Sequence, residues 1–121
     1  MEKSQDHPPC TLEYYKKALK KFDSDRTVVI FTDDIEWCKN QKLFKPDRFL
    51  ISETGNNVYD LCLMTLCTDY IIANSSFSWW GAWLSQNSDP VVIAPKKWFG
   101  TTGHTAKNNT EDIIPDRWTQ I

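Results

Sequence analysis

The chain has 121 residues, of which 40% are hydrophobic and 13% aromatic, with six tryptophans and a formal net charge of −2. That length makes one domain, large enough to bury a core. The near-neutral charge, without a basic patch interleaved with aromatics, argues against nucleic acid as a partner. No apolar run approaches membrane-spanning length and residues 1–9 lack the apolar region of a signal peptide, so a soluble, cytoplasmic chain is expected.

Residues 1–10 are polar, contain Pro8-Pro9 and read as a leader ahead of one domain over residues 11–121. A helix is expected from Thr11. Thr11 is a cap, Glu13 suits the first turn, and Tyr14, Tyr15, Ala18, Leu19 and Phe22 form an apolar stripe of helical period. Lys16, Lys17, Lys20 and Lys21 make the solvated side. After a turn over Asp23 to Arg26, the β-branched run Thr27 to Thr32 reads as a strand buried on both faces. Asp33-Asp34 ends it and opens a short helix over Ile35 to Asn40. One aspartate suffices as a cap, so the pair is open to two readings: helix capping, or acceptors for the N–H and O–H groups of a ligand.

Pro46 breaks the chain, Arg48 to Ser52 reads as a short strand and Glu53 to Asn57 as a loop. An apolar helix follows over Val58 to Thr68, with Asp60 as its early acid, either a dipole partner or a ligand contact. The stretch from Tyr70 to Leu84 organises the rest. Ile71-Ile72-Ala73 reads as a buried strand, Asn74-Ser75-Ser76-Phe77-Ser78 as a polar bend, and Trp79 to Leu84 as a charge-free core helix. Ser75, Ser76 and Ser78 are ordinary caps for such a helix. The same bend also places backbone N–H groups at the carboxyl edge of a sheet, where phosphates bind in open α/β folds.

Pro90 to Ala94 gives a further strand, Pro95 to Gly100 closes it, residues 101–112 read as a loop, and Pro115 to Trp118 as a final turn. Strands alternating with helices predict an α/β fold: a Rossmann-like, doubly wound, mainly parallel sheet with helices on both faces. Neither G-x-G-x-x-G nor a P-loop is present. Cys10, Cys38, Cys62 and Cys67 form no C-x-x-C pair, so reduced thiols and no metal site are expected, with Cys62 buried in its helix. Asn74-Ser75-Ser76 and Asn108-Asn109-Thr110 match the glycosylation acceptor pattern, without support from secretion.

The block Ile71-Ile72-Ala73-Asn74-Ser75-Ser76-Phe77-Ser78-Trp79-Trp80-Gly81-Ala82-Trp83-Leu84 resembles the signature of the alpha-1,2-fucosyltransferases, glycosyltransferase family 11. Tyr14 to Leu19, Phe31-Thr32-Asp33-Asp34 with Trp37-Cys38-Lys39, Asp60 with Leu63-Met64, and Val92 to Phe99 are similar to other family segments and stand in family order. The likeness covers about residues 11–99, with a weaker echo over Pro115 to Ile121.

The resemblance implies the C-terminal half of a GT-B-type enzyme, two Rossmann-like domains facing a cleft. It implies transfer of L-fucose from GDP-fucose to the 2-hydroxyl of a terminal galactose, with inversion and without an obligatory metal or cofactor. Asp33 or Asp34 and Ser52 are then expected near the guanosine, and Asn74, Ser75, Ser76 and Phe77 along the diphosphate and fucose. With Asp60 and Ser78 these make the candidate donor-binding set. The partners implied are a nucleotide sugar and a glycan acceptor, the latter held by a domain this chain lacks; family members can be membrane-associated.

Family members carry a His-x-Arg-Arg-x-Asp segment ahead of the first helix, whereas His7 here is followed by Pro8-Pro9. Donor binding rather than full transfer is therefore expected of this chain. Lys96 and Lys97 are candidates for balancing diphosphate charge, and His104 is a base by chemistry only. The competing expectations are a non-catalytic α/β domain that binds a partner, and a different nucleotide-sugar transferase using the same sheet edge.

Overall fold

The structure is a computed structural model that describes residues 10–96 and 114–121. Residues 1–9 of the expected leader over residues 1–10, together with Lys97, His104 and the loop at 101–112, lie outside the described residues. In chain order the elements are α1 (Leu12–Leu19), β1 (Val28–Ile30), α2 (Ile35–Lys39), a 3-10 helix (Lys42–Phe44), β2 (Phe49–Ile51), α3 (Asn57–Thr65), β3 (Tyr70–Ile71), α4 (Ser76–Trp83), β4 (Val92–Ala94) and β5 (Thr119–Gln120).

Each α-helix starts at a side-chain cap. Thr11 accepts from the Tyr14 amide, Asp34 from Trp37, Asn56 from Val58 and Tyr59, and Ser75 from Ser78. α1 stops at Leu19, three residues before its apolar stripe does, because the chain tightens into i→i+3 bonds from Lys21 to Ala18 and from Phe22 to Leu19. α4 starts at Ser76 rather than Trp79. Ser75 alone is the cap, so Ser76, Phe77 and Ser78, expected in the bend, lie inside the helix. Ile72 and Ala73 fall beyond β3, although the Ile72 amide still donates to Ile93 O at 2.9 Å.

All strand pairs are parallel, as the alternating pattern predicts, but they form two small sheets, β1–β2 and β3–β4–β5. β5, which follows the expected turn over Pro115 to Trp118, has no apolar run of its own. It exists by pairing Thr119 and Gln120 with Ile93 and Ala94. β4 is buried throughout and feeds two cores. Val92 and Ala94 join Tyr70, Ile72, Ala82, Ile114 and Trp118 on one face, and Ile93 joins Tyr14 and Ala18 of α1 on the other. This sheet is therefore covered on both faces, which explains its unbroken apolar run.

Two tyrosine hydroxyls bond backbone carbonyls of distant or neighbouring elements, and one of them fills a place that the sheet ladder leaves open. In the β3–β4 register the nitrogen facing Ile72 O belongs to Pro95, which has no proton to give. The Tyr14 hydroxyl donates to that carbonyl at 2.6 Å, with Ile93 O 3.1 Å away. Tyr70 Oη donates to Met64 O at 2.6 Å at the end of α3, and Ser85 Oγ lies 2.9 Å from it.

Helix α4 is less buried than a charge-free helix would suggest. Trp79 stacks on Trp83 with centroids 5.2 Å apart, and Gly81 and Ala82 face inward, but Trp80 and Trp83 are 48% and 45% exposed. Cys62 is exposed, not buried, because Met64 is the α3 residue that reaches the core against Gly81. No described helix is long and apolar enough to cross a membrane.

Candidate functional site

A parallel sheet sends every strand end to one edge, and the helices that follow begin there. The starts of β1 and β3 are joined by an ion pair of 2.8 Å between Arg26 and Asp69, and their ends (Thr32 and Ala73) line one cavity of about 490 Å3. The two sheets thus run side by side in the same sense. The carboxyl ends of β1, β2 and β3 carry Asp33-Asp34, Ser52 and Asn74-Ser75, ahead of α2, α3 and α4. These are the residues the sequence nominates.

At the end of β1, Asp33 is exposed. Asp34 is the structural member of the pair: its carboxylate caps α2 through the Trp37 amide at 3.2 Å, and its own amide donates to the Thr32 hydroxyl at 2.9 Å.

At the end of β2, Ser52 and Asp60 are brought together. The Ser52 hydroxyl donates to Asp60 Oδ1 at 2.8 Å, and the Thr54 hydroxyl lies 2.8 Å from the same oxygen. The Ser52 amide is still in the ladder, donating to Ile30 O at 2.9 Å. Asp60 sits in the first turn of α3, so the helix dipole favours its negative charge. In the sequence Thr54 reads only as part of a loop. Its signal is the alternation Ser52-x-Thr54, two hydroxyls on one side of an extended chain, six to eight residues before an acid.

At the end of β3, Asn74 is buried, with the Cys10 thiol donating to its Oδ1 at 3.6 Å. Burial pushes the Cys10 thiol above its ordinary value, which keeps it a neutral donor near pH 7. Ser75 accepts from the Ser78 amide at 3.2 Å, and the two hydroxyls are 2.8 Å apart. Ser76 and Phe77 are exposed, so the bend is open to solvent rather than sealed. Ser78 also lines the cavity between the sheets.

The nominated residues therefore form three clusters along one edge: Asp33 with Asp34, Ser52 with Asp60, and Asn74 to Ser78. Chemically, the α4 start offers N–H donors suited to an anion, while Asp60 and Asp33 offer carboxylate acceptors. Lys96 follows β4 as an exposed cation, its amide held by Ile121 O at 2.9 Å. No group of three or more His, Cys, Asp or Glu among the described residues could hold a metal ion.

A family model described as glycosyl transferase family 11 matches residues 1–121. An O-antigen biosynthesis glycosyltransferase, WbnK, from Escherichia coli is 33% identical over 123 residues, covering 98% of this chain and 39% of that protein. An alpha-1,2-colitosyltransferase, also from Escherichia coli, is 37% identical over 121 residues, covering 95% of this chain and 40% of that protein. The chain spans about two fifths of the length of these curated relatives. No solved structure matches significantly.

Proposed function

This chain belongs to glycosyl transferase family 11, and from that premise we propose that it is the donor-holding part of an inverting transferase that moves L-fucose from GDP-fucose to the 2-hydroxyl of a terminal galactose. The observation that supports this most is the open start of α4. Ser75 engages the Ser78 amide, and the two preceding residues of the first turn, Ser76 and Phe77, are exposed at the carboxyl edge of a parallel sheet. Amide donors and the positive end of a helix dipole favour a diphosphate there. Asp33 and the Ser52–Asp60 pair are acceptors for the N–H and O–H groups of guanine and ribose.

On this reading the two sheets are halves of one doubly wound sheet, and the nucleotide lies where its strand order reverses, between β1 and β3. Fucosyl transfer leaves GDP as an anion, so its charge is offset by the α4 amides and by cations such as Lys96, with no metal or cofactor assigned. The glycan acceptor is held by chain outside these residues.

The donor's sugar has two candidates. The name of one relative is that of a colitosyltransferase, and colitose is fucose without its 3-hydroxyl. Competition between GDP-fucose and GDP-colitose for the site separates them. For the site itself, titration with GDP is expected to shift the backbone amide signals of Asp33, Ser52 and Ser75 to Ser78, while UDP leaves them in place. No shift at millimolar GDP overturns the donor reading.

A second reading, a non-catalytic domain that binds a partner, is favoured by the apolar surface of α3 and α4. Val58, Tyr59 and Leu66 are each more than 60% exposed, alongside Trp80 and Trp83. It predicts a folded chain with no response to either nucleotide.

A further inference from the structure

Helices α3 and α4 pack against each other where Met64 meets Gly81, and each leaves an apolar face uncovered on its other side. On α3 that face carries Val58, Tyr59 and Leu63, opposite the buried Met64. On α4 it carries Phe77, Trp80, Trp83 and Leu84, opposite the buried Gly81 and Ala82. Each of these side chains is more than a third exposed. Tyr59 and Leu63 are one turn apart, and Phe77, Trp80 and Leu84 follow at helical spacing, so each stripe runs along its helix.

The face carries no charge of its own. Asp60 is the only charged residue between Thr54 and Thr68, and there is none from Tyr70 to Ser88. Asp60 is turned back to the hydroxyls of Ser52 and Thr54. At the rim, the Arg117 guanidinium lies over the Trp83 ring, 5.5 Å from its centroid. Aromatic side chains with an arginine, and neither lysine nor glutamate among them, are what the centre of a protein interface is made of.

Size points the same way. The exposed parts of these seven side chains amount to about 800 Å2, more than the roughly 300–600 Å2 of the largest apolar patch on a typical monomer. It equals the roughly 800 Å2 that each partner gives to a standard protein interface.

A lipid surface fits less well. Helices that lie in a membrane interface set lysines beside their apolar residues. Here Lys16, Lys17, Lys20 and Lys21 stand on α1, which packs on the Ile93 side of β4, whereas α4 packs through Ala82 on the side of Val92 and Ala94. The lysines and the exposed tryptophans are thus on opposite sides of the sheet.

We propose that the joint outer face of α3 and α4 is a self-association surface, on which a second copy of this chain docks about a two-fold axis. In such a pair the same patch serves both partners, and any charge on it meets its own kind. A face without charge pairs with itself at no such cost. The tryptophans and tyrosine of one copy then lie against those of the other, with Arg117 and the polar residues after Leu84 left at the rim. The inference rests on these two helix faces alone and is independent of the donor reading.

Sedimentation equilibrium of the unmodified chain, from about 5 to 200 µM, tests this. The mass is expected to rise from 14.1 kDa toward twice that value, with a dissociation constant of about 10 µM or below. Tyr59→Glu and Trp80→Glu each place a charge on the face and are expected to weaken association at least tenfold, with circular dichroism unchanged. Lys17→Glu, on the opposite side of the sheet, is expected to leave it as it is. A chain that stays at 14.1 kDa throughout overturns the proposal. So does a dimer that both glutamate variants keep, one that Lys17→Glu disrupts equally, or growth past the dimer. If Trp80→Glu does not fold, Tyr59→Glu decides alone, since the Tyr59 side chain is 62% exposed and contributes little to the core. Vesicles of phosphatidylcholine, with and without phosphatidylglycerol, supply the last arm. Binding of a monomeric chain to either, lost in Tyr59→Glu, assigns the face to lipid and overturns the proposal.

Discussion

Ser75 Oγ and Ser78 Oγ stand 2.8 Å apart at the start of α4, and the Ser78 amide donates to the Ser75 oxygen at 3.2 Å. Ser75 is thus a cap first, and any anion is held beside it. Ser75→Asp separates the two roles, because aspartate caps as well as serine and adds a charge the dipole favours. The variant is expected to keep wild-type stability within about 0.5 kcal/mol in urea melts and to lose GDP binding at least tenfold by calorimetry. Retained binding removes the diphosphate from this helix start. Ser75→Ala, by contrast, is expected to cost about 1 kcal/mol of stability.

The Ser52–Thr54–Asp60 cluster gives a second prediction. Asp60 Oδ1 takes up hydroxyls from both Ser52 and Thr54 and ties the end of β2 to the first turn of α3. Asp60→Ala leaves two hydroxyls to find water. On a half-buried site this costs about 1 kcal/mol, and GDP affinity is expected to fall five- to tenfold. Glu53→Gln, which loosens only the exposed contact to Lys39 at 3.2 Å, is expected to change neither. Equal losses in both variants would show a general electrostatic effect rather than a specific acceptor.

Much of this edge is legible in the sequence because it is local. Thr11 declares itself as a cap by residue type just ahead of an apolar run, Asp33-Asp34 and the serine bend declare a cap without fixing which residue it is, and Pro90 to Ala94 declares a strand. The three-residue error at the start of α4 arises because Ser75, Ser76 and Ser78 are equally good caps by type, and only geometry selects one. What the sequence does not carry is long-range. β5 is two residues without an apolar pattern, formed only because Ile93 and Ala94 offer an edge. The gap between β1 and β3, and the Tyr14 hydroxyl serving a carbonyl opposite a proline, depend on partners 40 to 60 residues apart.

Gly81 is where α4 meets α3. A Cβ placed there would lie 2.4 Å from Met64 Cε and 3.0 Å from Met64 Sδ. Gly81→Ala gains helix propensity, roughly 0.5–1 kcal/mol, but forces a buried methionine to move, and overpacking typically costs about 1–3 kcal/mol. A net loss of about 1 kcal/mol is expected, read as a lower urea midpoint with an unchanged m-value. Shortening the facing side chain tests the cause: Gly81→Ala with Met64→Val is expected to be no less stable than Met64→Val alone. A further loss in the double variant would place the clash elsewhere.

The buried Tyr14 hydroxyl links stability to alkaline pH. Burial raises the ionisation of Tyr14 and Tyr15 well above the ordinary tyrosine range, and raises Cys10 and Cys38 above the ordinary thiol value. Each group holds its proton more tightly folded than unfolded. Below the unfolded values, about 8.5 for thiols and 10 for tyrosines, both states are protonated and stability does not change with pH. Above them the unfolded chain loses protons that the folded chain keeps, so stability falls as pH rises through 9 to 11. Urea melts across pH 7–11 are expected to show a plateau and then this decline, and a flat profile to pH 11 would refute it. Tyr14→Phe removes one titrating group and also leaves Ile72 O without its donor, at a cost of about 1–3 kcal/mol at pH 7. Its decline above pH 10 is then shallower than wild type. Adding Pro95→Ala restores an N–H opposite Ile72 O, so the double variant is expected to lose less than the sum of its parts.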